Sequence, residues 1–275
     1  MWVSTVLTRM QRYFDHHSLL REVVSHRLTA LSGPRALLLM AAHPVAFAGF
    51  FAHTGALDDP YARLERTATV MNAIAFGTRA QADRMTAPVR RAHARVRGEL
   101  SEDAGHFPAG TPYRGDDPEL LLWILAALAE SAMLVYSKYA RTLSRDEKDA
   151  LWRDYRIVGR CFGLREREMP LDIEGFDAYM AERYGSPELV VTPQARELAI
   201  DIVLKPPVPL HFRPLLELVN QITVGLLPPR VREQYGFSWD PVRAVALHGG
   251  AEYVKRVLVP VLPERVRMLP MARAA

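Results

Sequence analysis

Apolar positions along this chain recur at intervals of three and four, and strict alternation is nearly absent. That period predicts helices from end to end. Two runs are almost continuously apolar, Ala36 to Phe51 and Leu120 to Tyr136. The first is interrupted by His43-Pro44, and the second carries Glu130 and Ser131. Both fall short of the roughly 20 residues a membrane span needs and hold polar groups near the middle. They therefore read as buried core helices, with no stable membrane span.

The polar punctuation between runs is that of helix ends. Ser32-Gly-Pro34 offers an N-cap and an early proline. Asp58-Asp59-Pro60 does the same for a helix to Phe76, with Gly77 as its stop. Thr86-Ala-Pro88 starts or kinks a helix that Gly98 ends, and Asp116-Asp117-Pro118 opens the apolar helix to about Arg141. Ser144 and Glu147 form a capping-box pattern for a helix reaching Cys161 before Gly163. Thr192-Pro193 and Asp240-Pro241 start two more, the last running to about Leu258. The longest loop spans 98–117. Lys205-Pro-Pro-Val-Pro209 is a rigid joint, but each side alone would leave apolar faces uncovered. The expectation is an all-α fold: a single globular multi-helix domain over 32–260, an N-terminal helical extension at 1–31 and a tail at 261–275.

Composition changes this picture little. The chain has 275 residues, 49% hydrophobic and 24% charged, enough for one large core. The net charge of +4 is dispersed, which argues against nucleic acid as a partner. The single cysteine, Cys161, rules out an intrachain disulfide. The first ten residues lack an apolar stretch followed by a small-residue cleavage site. A cytoplasmic protein is the expectation.

Nucleophile elbows, Walker loops, dinucleotide fingerprints and His-Glu-x-x-His pairs are absent from the sequence. Two basic-polar constellations remain. Arg63, Arg66 and Thr67 fall at i, i+3 and i+4, so they share a helix face. His93 lies on a stripe with Val89, Ala92 and Val96, and Arg97 follows one turn on. An imidazole on an oily face is a soft metal ligand, and guanidiniums with a hydroxyl bind carboxylates. Heme fits that pairing. On spacing alone, however, a satisfied core histidine and solvated arginines explain the same residues more often. His43 reads as a core histidine bonded to a backbone carbonyl at a proline kink. His53 reads as a turn residue beside Asp58 and Asp59, and Cys161 as a small core residue.

An ordered set of residues goes further. It comprises Ala42-His43-Pro44, His53, Asp59-Pro60-x-x-Arg63-x-x-Arg66-Thr67, Phe76-Gly77-Thr78, His93-x-x-Val96-x-Gly98, Tyr113, Asp117-Pro118-x-Leu120-Leu-x-Trp123 and Tyr136. Trp152, Gly163, Leu226-Leu-Pro-Pro-Arg230 and Tyr235-Gly236 continue it. The set resembles the oxygenase MpaB and rubber-oxygenase (latex clearing protein) catalytic domain family over roughly Ser32 to Trp239. The resemblance implies a globin-like helical core around heme b. His93 would be the proximal iron ligand, Arg63 and Arg97 would pair with the heme propionates, and Arg66 and Thr67 would form the polar edge of the reaction pocket. It also implies an oxidoreductase, a heme-dependent oxygenase that uses O2 or peroxide on a hydrophobic small molecule.

Two departures from the family pattern bear on chemistry. Arg66 replaces a lysine that caps the distal iron in the rubber-oxygenase branch. A guanidinium stays protonated, so the resting iron is expected to be five-coordinate or water-bound. The stretch around Ala46-Phe47-Ala48 has no acid where that branch carries a distal glutamate. Rubber cleavage itself is therefore not expected. A non-catalytic heme or hydrophobic-ligand binding protein is the alternative.

Overall fold

The computed structural model of the chain describes residues 11–52 and 60–270, without the side chains of 50–52, 60, 61, 63, 64, 198 and 199. The fold is all-α, with a single two-stranded sheet among the described residues.

Its axis is the helix Pro118–Tyr139, α6 in chain order. The Asp117 carboxylate accepts the N–H groups of Glu119 (2.8 Å) and Leu120 (3.4 Å), and Pro118 takes the first helical position, where no N–H is needed. Leu122, Trp123, Leu125, Ala126, Ala127, Ala129, Ala132, Met133 and Val135 are buried, on more than one side of the cylinder. Such an all-round apolar surface belongs in a core. The helix is 22 residues long, longer than the apolar run in the sequence suggests. By length and composition alone it passes as a membrane span, with a mean hydropathy of 1.8 over 18 residues. Its burial against the other helices gives it a core role instead.

The elements before it are α1 (Leu19–Ser25), α2 (Ser32–Ala41), α3 (Pro44–Ala52), α4 (Pro60–Phe76) and α5 (Arg79–Arg95), then strands β1 (Arg97–Glu99) and β2 (Pro112–Arg114). The strands pair antiparallel, Gly98 opposite Tyr113. After α6 come α7 (Arg145–Phe162) and α8 (Ile173–Gly185), then α9 (Pro193–Ala199), α10 (Arg213–Gly225) and α11 (Pro229–Gln234). The chain ends in α12 (Pro241–Tyr253), a wider turn at 254–258, α13 (Val259–Val261) and α14 (Glu264–Arg267).

Helix α2 lies along α6, and α7 flanks it. Small side chains at Ala126, Ala127 and Ala129, all fully buried, allow close helix approach. Phe14, Leu20 and Val23 join the same core as Trp152, Tyr155 and Phe176. Asp154 on α7 accepts Ser18 Oγ–H (2.8 Å) and Leu20 N–H (3.0 Å), fixing the entry to α1. The last turns return to the start, where Leu269 N–H donates to the Ser25 carbonyl at 2.8 Å.

Two guanidiniums are buried among the described residues, Arg21 and Arg35, and Arg35 lies deeper. Arg35 on α2 is 2% exposed and pairs with Glu130 of α6. Its Nη1 also donates to Ser131 Oγ (2.6 Å), and its Nε donates to the Leu226 carbonyl (2.8 Å). A buried guanidinium is tolerated because its donors are matched, and here they tie α2, α6 and the end of α10 together.

Several sequence expectations change. The run Ala36 to Phe51 is two helices, because Pro44 breaks it instead of kinking it. Ser32 does not cap α2. It sits inside the helix after a tight turn over 27–31, with Oγ donating to the Thr29 carbonyl (2.7 Å). Helix α5 starts at Arg79 under a Thr78–Gln81 capping box, so Pro88 lies inside it and does not begin it. The helix ends at Arg95, before Gly98. The caps at Asp117, Ser144, Thr192 and Asp240 form as the sequence indicates.

Candidate functional site

Helices α4 and α5 are packed neighbours joined through Gly77 and Thr78. From that turn, Arg63 lies 14 residues back along α4 and His93 lies 15 residues on from Thr78 along α5. At about 1.5 Å per helical residue the two lie at similar distances from the bend along their own helices.

His93 is half-buried in the last turn of α5. The inward stripe of the helix is Ala82, Thr86, Val89 and His93, at spacings of four, three and four. Ala92, placed on that stripe by the sequence, is exposed. Val96 continues the inward side after the helix ends, and its N–H donates to the His93 carbonyl (3.0 Å).

The end of α5 is clamped by two glycines. A Cβ on Gly115 would lie 2.8 Å from both the His93 carbonyl oxygen and Val96 Cβ. Gly115 N–H donates to the Val96 carbonyl at 2.9 Å. A Cβ on Gly98 would lie 2.4 Å from Tyr113 Oη, so only hydrogen there admits the Tyr113 ring. Tyr113 is buried, and a Cβ on Gly49 of α3 would make ordinary contact with its ring at 3.5 Å and with Val96 Cγ1 at 3.8 Å. Helix α3, the β1–β2 hairpin and the end of α5 thus converge three residues beyond His93. Of this clamp, the sequence reading contains only Gly98 and Tyr113. Gly115 leaves no local signal, because the contacts that need it come from other residues of the fold.

The remaining site residues divide. Arg66 and Thr67 on α4 are exposed. Arg63 is on the same helix, but its side chain lies outside the described residues, as does all of His53. Arg97 is not one helical turn beyond His93, because Val96 is extended and Arg97 opens β1. It is exposed and pairs with Asp116 at 3.7 Å, and Asp116 also binds Arg114 in two bonds of 3.0 and 3.1 Å. These contacts hold the Asp116 carboxyl below its usual range, the Arg114 hydrogen bond contributing most.

The other imidazole near this end is different in kind. His43 fills the break between α2 and α3, and its Nδ1 accepts Ala46 N–H at 3.4 Å. Through Nδ1 it therefore acts as an acceptor at the start of α3. Burial, with help from Arg183, lowers its pKa to about 4. It borders a cavity of about 150 Å³ lined also by Val45, Phe107, Tyr113, Asp117 and Arg183. Cys161 is buried in α7 with its thiol pKa raised by burial. It behaves as the small core residue the sequence suggests.

Among the described residues no group of three or more His, Cys, Asp or Glu side chains could hold a metal ion. A porphyrin iron asks less of a protein. It needs one axial donor, an apolar wall and cations for two carboxylates. A half-buried imidazole, the buried Val45-Ala46-Phe47 segment of α3 and guanidiniums at Arg66 and Arg97 match that set in kind.

The fold is all-α, with His93 half-buried in the last turn of α5. Residues 21–256 match the family described as ER-bound oxygenase mpaB/B'/Rubber oxygenase, catalytic domain, and the chain belongs to that family. Comparison with curated proteins and with solved structures gave no match.

Proposed function

We propose that this protein is a heme b-dependent oxygenase acting on a hydrophobic small molecule, with His93 as the proximal iron ligand. Membership of an oxygenase family over residues 21–256, a span that contains both constellations, carries the reading. When bound, the heme supplies the redox chemistry with O2 or peroxide. The chain's own residues bind and orient. His93 offers a ring nitrogen from a helix end that Gly98 and Gly115 keep in place. Arg63, Arg66 and Arg97 neutralise carboxylates, and Arg97 exchanges Asp116 for a propionate. Thr67 supplies a hydroxyl at the polar edge, and the apolar side of α3 keeps water from the reacting centre.

The test is a pyridine hemochrome spectrum of the purified protein, alone and after reconstitution, beside His93→Ala and His43→Ala. Type b heme in the wild type, lost or shifted in His93→Ala and kept in His43→Ala, supports the reading. A protein that takes up no heme, or one whose spectrum ignores His93→Ala, overturns it.

A second reading has a specific observation in its favour. Ala46-Phe47-Ala48 on α3 carries no carboxylate, and Ala46 and Phe47 are buried among apolar neighbours. A heme or hydrophobic-ligand binding protein without turnover fits that wall. Substrate-free uptake of O2 or peroxide, compared with uptake in the presence of hydrophobic substrates, separates the two.

A further inference from the structure

Fourteen large hydrophobic residues are exposed among the described residues, and twelve of them fall between Leu210 and Val266. They keep helical spacing. Phe212, Leu215 and Leu218 follow one another at intervals of three through the start of α10. Val242 and Val245 do the same on α12, and Val257, Leu258, Val261 and Leu262 repeat at four through the last turns. Leu210, Val242, Val245 and Val261 are each more than 70% exposed. Helices α10 and α12 pack on each other, yet the first half of α10 and most of α12 contribute little to the core.

The same segment is net positive. Residues 210–266 hold seven Lys and Arg against five Asp and Glu, a net of +2. Arg213 and Arg265 are exposed, and Arg256 is 76% exposed while it pairs with Glu252 at 2.7 Å. Apolar helix faces rimmed by arginine are the composition of segments that lie in the interface of an anionic bilayer. A symmetric contact with a second copy would set one net-positive face against another, which like-charge repulsion opposes.

We propose that the α10–α14 face docks on the surface of an anionic lipid bilayer, its apolar side chains entering the headgroup boundary and its arginines pairing with lipid phosphate and carboxylate. The proposal does not depend on heme, and its failure would leave the oxygenase reading as it stands.

Co-sedimentation of the full chain with vesicles of phosphatidylcholine alone, and with vesicles that also contain phosphatidylserine, tests it. The wild type is expected to bind the phosphatidylserine vesicles and to release as salt rises. Leu215→Ser/Val245→Ser/Val261→Ser should weaken binding roughly tenfold or more. Arg213→Gln/Arg256→Gln should weaken it roughly fivefold per cation. Leu171→Ser, at an exposed apolar position outside this face, should bind as the wild type does. Circular dichroism melts confirm that each variant is folded. Absence of binding to phosphatidylserine vesicles overturns the proposal. So does loss of binding in the arginine variant with none in the serine variant, which marks attraction by charge alone. A dimer in light scattering that the serine variant dissociates, with no lipid binding, assigns the face to a second copy instead.

Discussion

His43 sits in the break between α2 and α3, where desolvation, aided by Arg183, brings its pKa to about 4 from an ordinary value near 6.5. The folded state thus binds this proton less readily than the unfolded one. Its contribution to stability is complete above about pH 6.5 and is lost as the pH falls through 4. At roughly 1.4 kcal/mol per unit, the loss approaches about 3 kcal/mol. Urea unfolding from pH 7 to pH 4 should show this slope, and His43→Asn should flatten it while lowering stability at pH 7. Arg35 tests the opposite case of a buried charge that stays charged. Arg35→Ala leaves Glu130 facing a void and should cost about 3–5 kcal/mol in chemical denaturation. The double change Arg35→Met/Glu130→Met should recover most of that loss. Neither environment is legible from neighbouring residues in sequence. The partners of Arg35 lie 95, 96 and 191 positions away.

Helix α5 shows where local sequence signals mislead. Pro88 after Thr86-Ala resembles a helix start, but the structure begins nine residues earlier with Thr78 accepting Gln81 N–H and Gln81 answering Thr78 N–H. Packing of Ala82, Thr86 and Val89 against the core outweighs the cost of the interior proline. Pro88→Ala restores the N–H that the helix lacks and should raise thermal stability, by up to about 3 kcal/mol, as read by calorimetry. The caps at Asp117, Ser144, Thr192 and Asp240 were readable because each needs only residues within one turn. Ser144→Ala should cost α7 about 1 kcal/mol in the same assay. The far end of α5 was not readable for the same reason. That Val96 turns extended and sends Arg97 into β1 depends on pairing with residues 112–114.

At the scale of the whole molecule, the core was legible and the site only in part. Two near-continuous apolar runs in an otherwise amphipathic chain foretold the buried α2, α3 and α6. That His93 faces the inward side of α5 followed from helical spacing. The close approach of Gly115 to the His93 carbonyl did not, because it depends on how the chain after β2 returns to the end of α5. One buried feature of this assembly has a practical use. Cys161 is the only cysteine of the chain, lies 4% exposed between α7 and the N-terminal segment, and holds its proton through burial. Only the thiolate attacks an alkylating or disulfide reagent. Labelling should therefore wait for the chain to open, which makes Cys161 a built-in clock for unfolding. In the native protein, reaction with a thiol reagent should be slower than in urea by orders of magnitude. Arg35→Ala should hasten it in proportion to the stability it removes, whereas the outlying serine changes on α10, α12 and α13 should leave its pace unchanged.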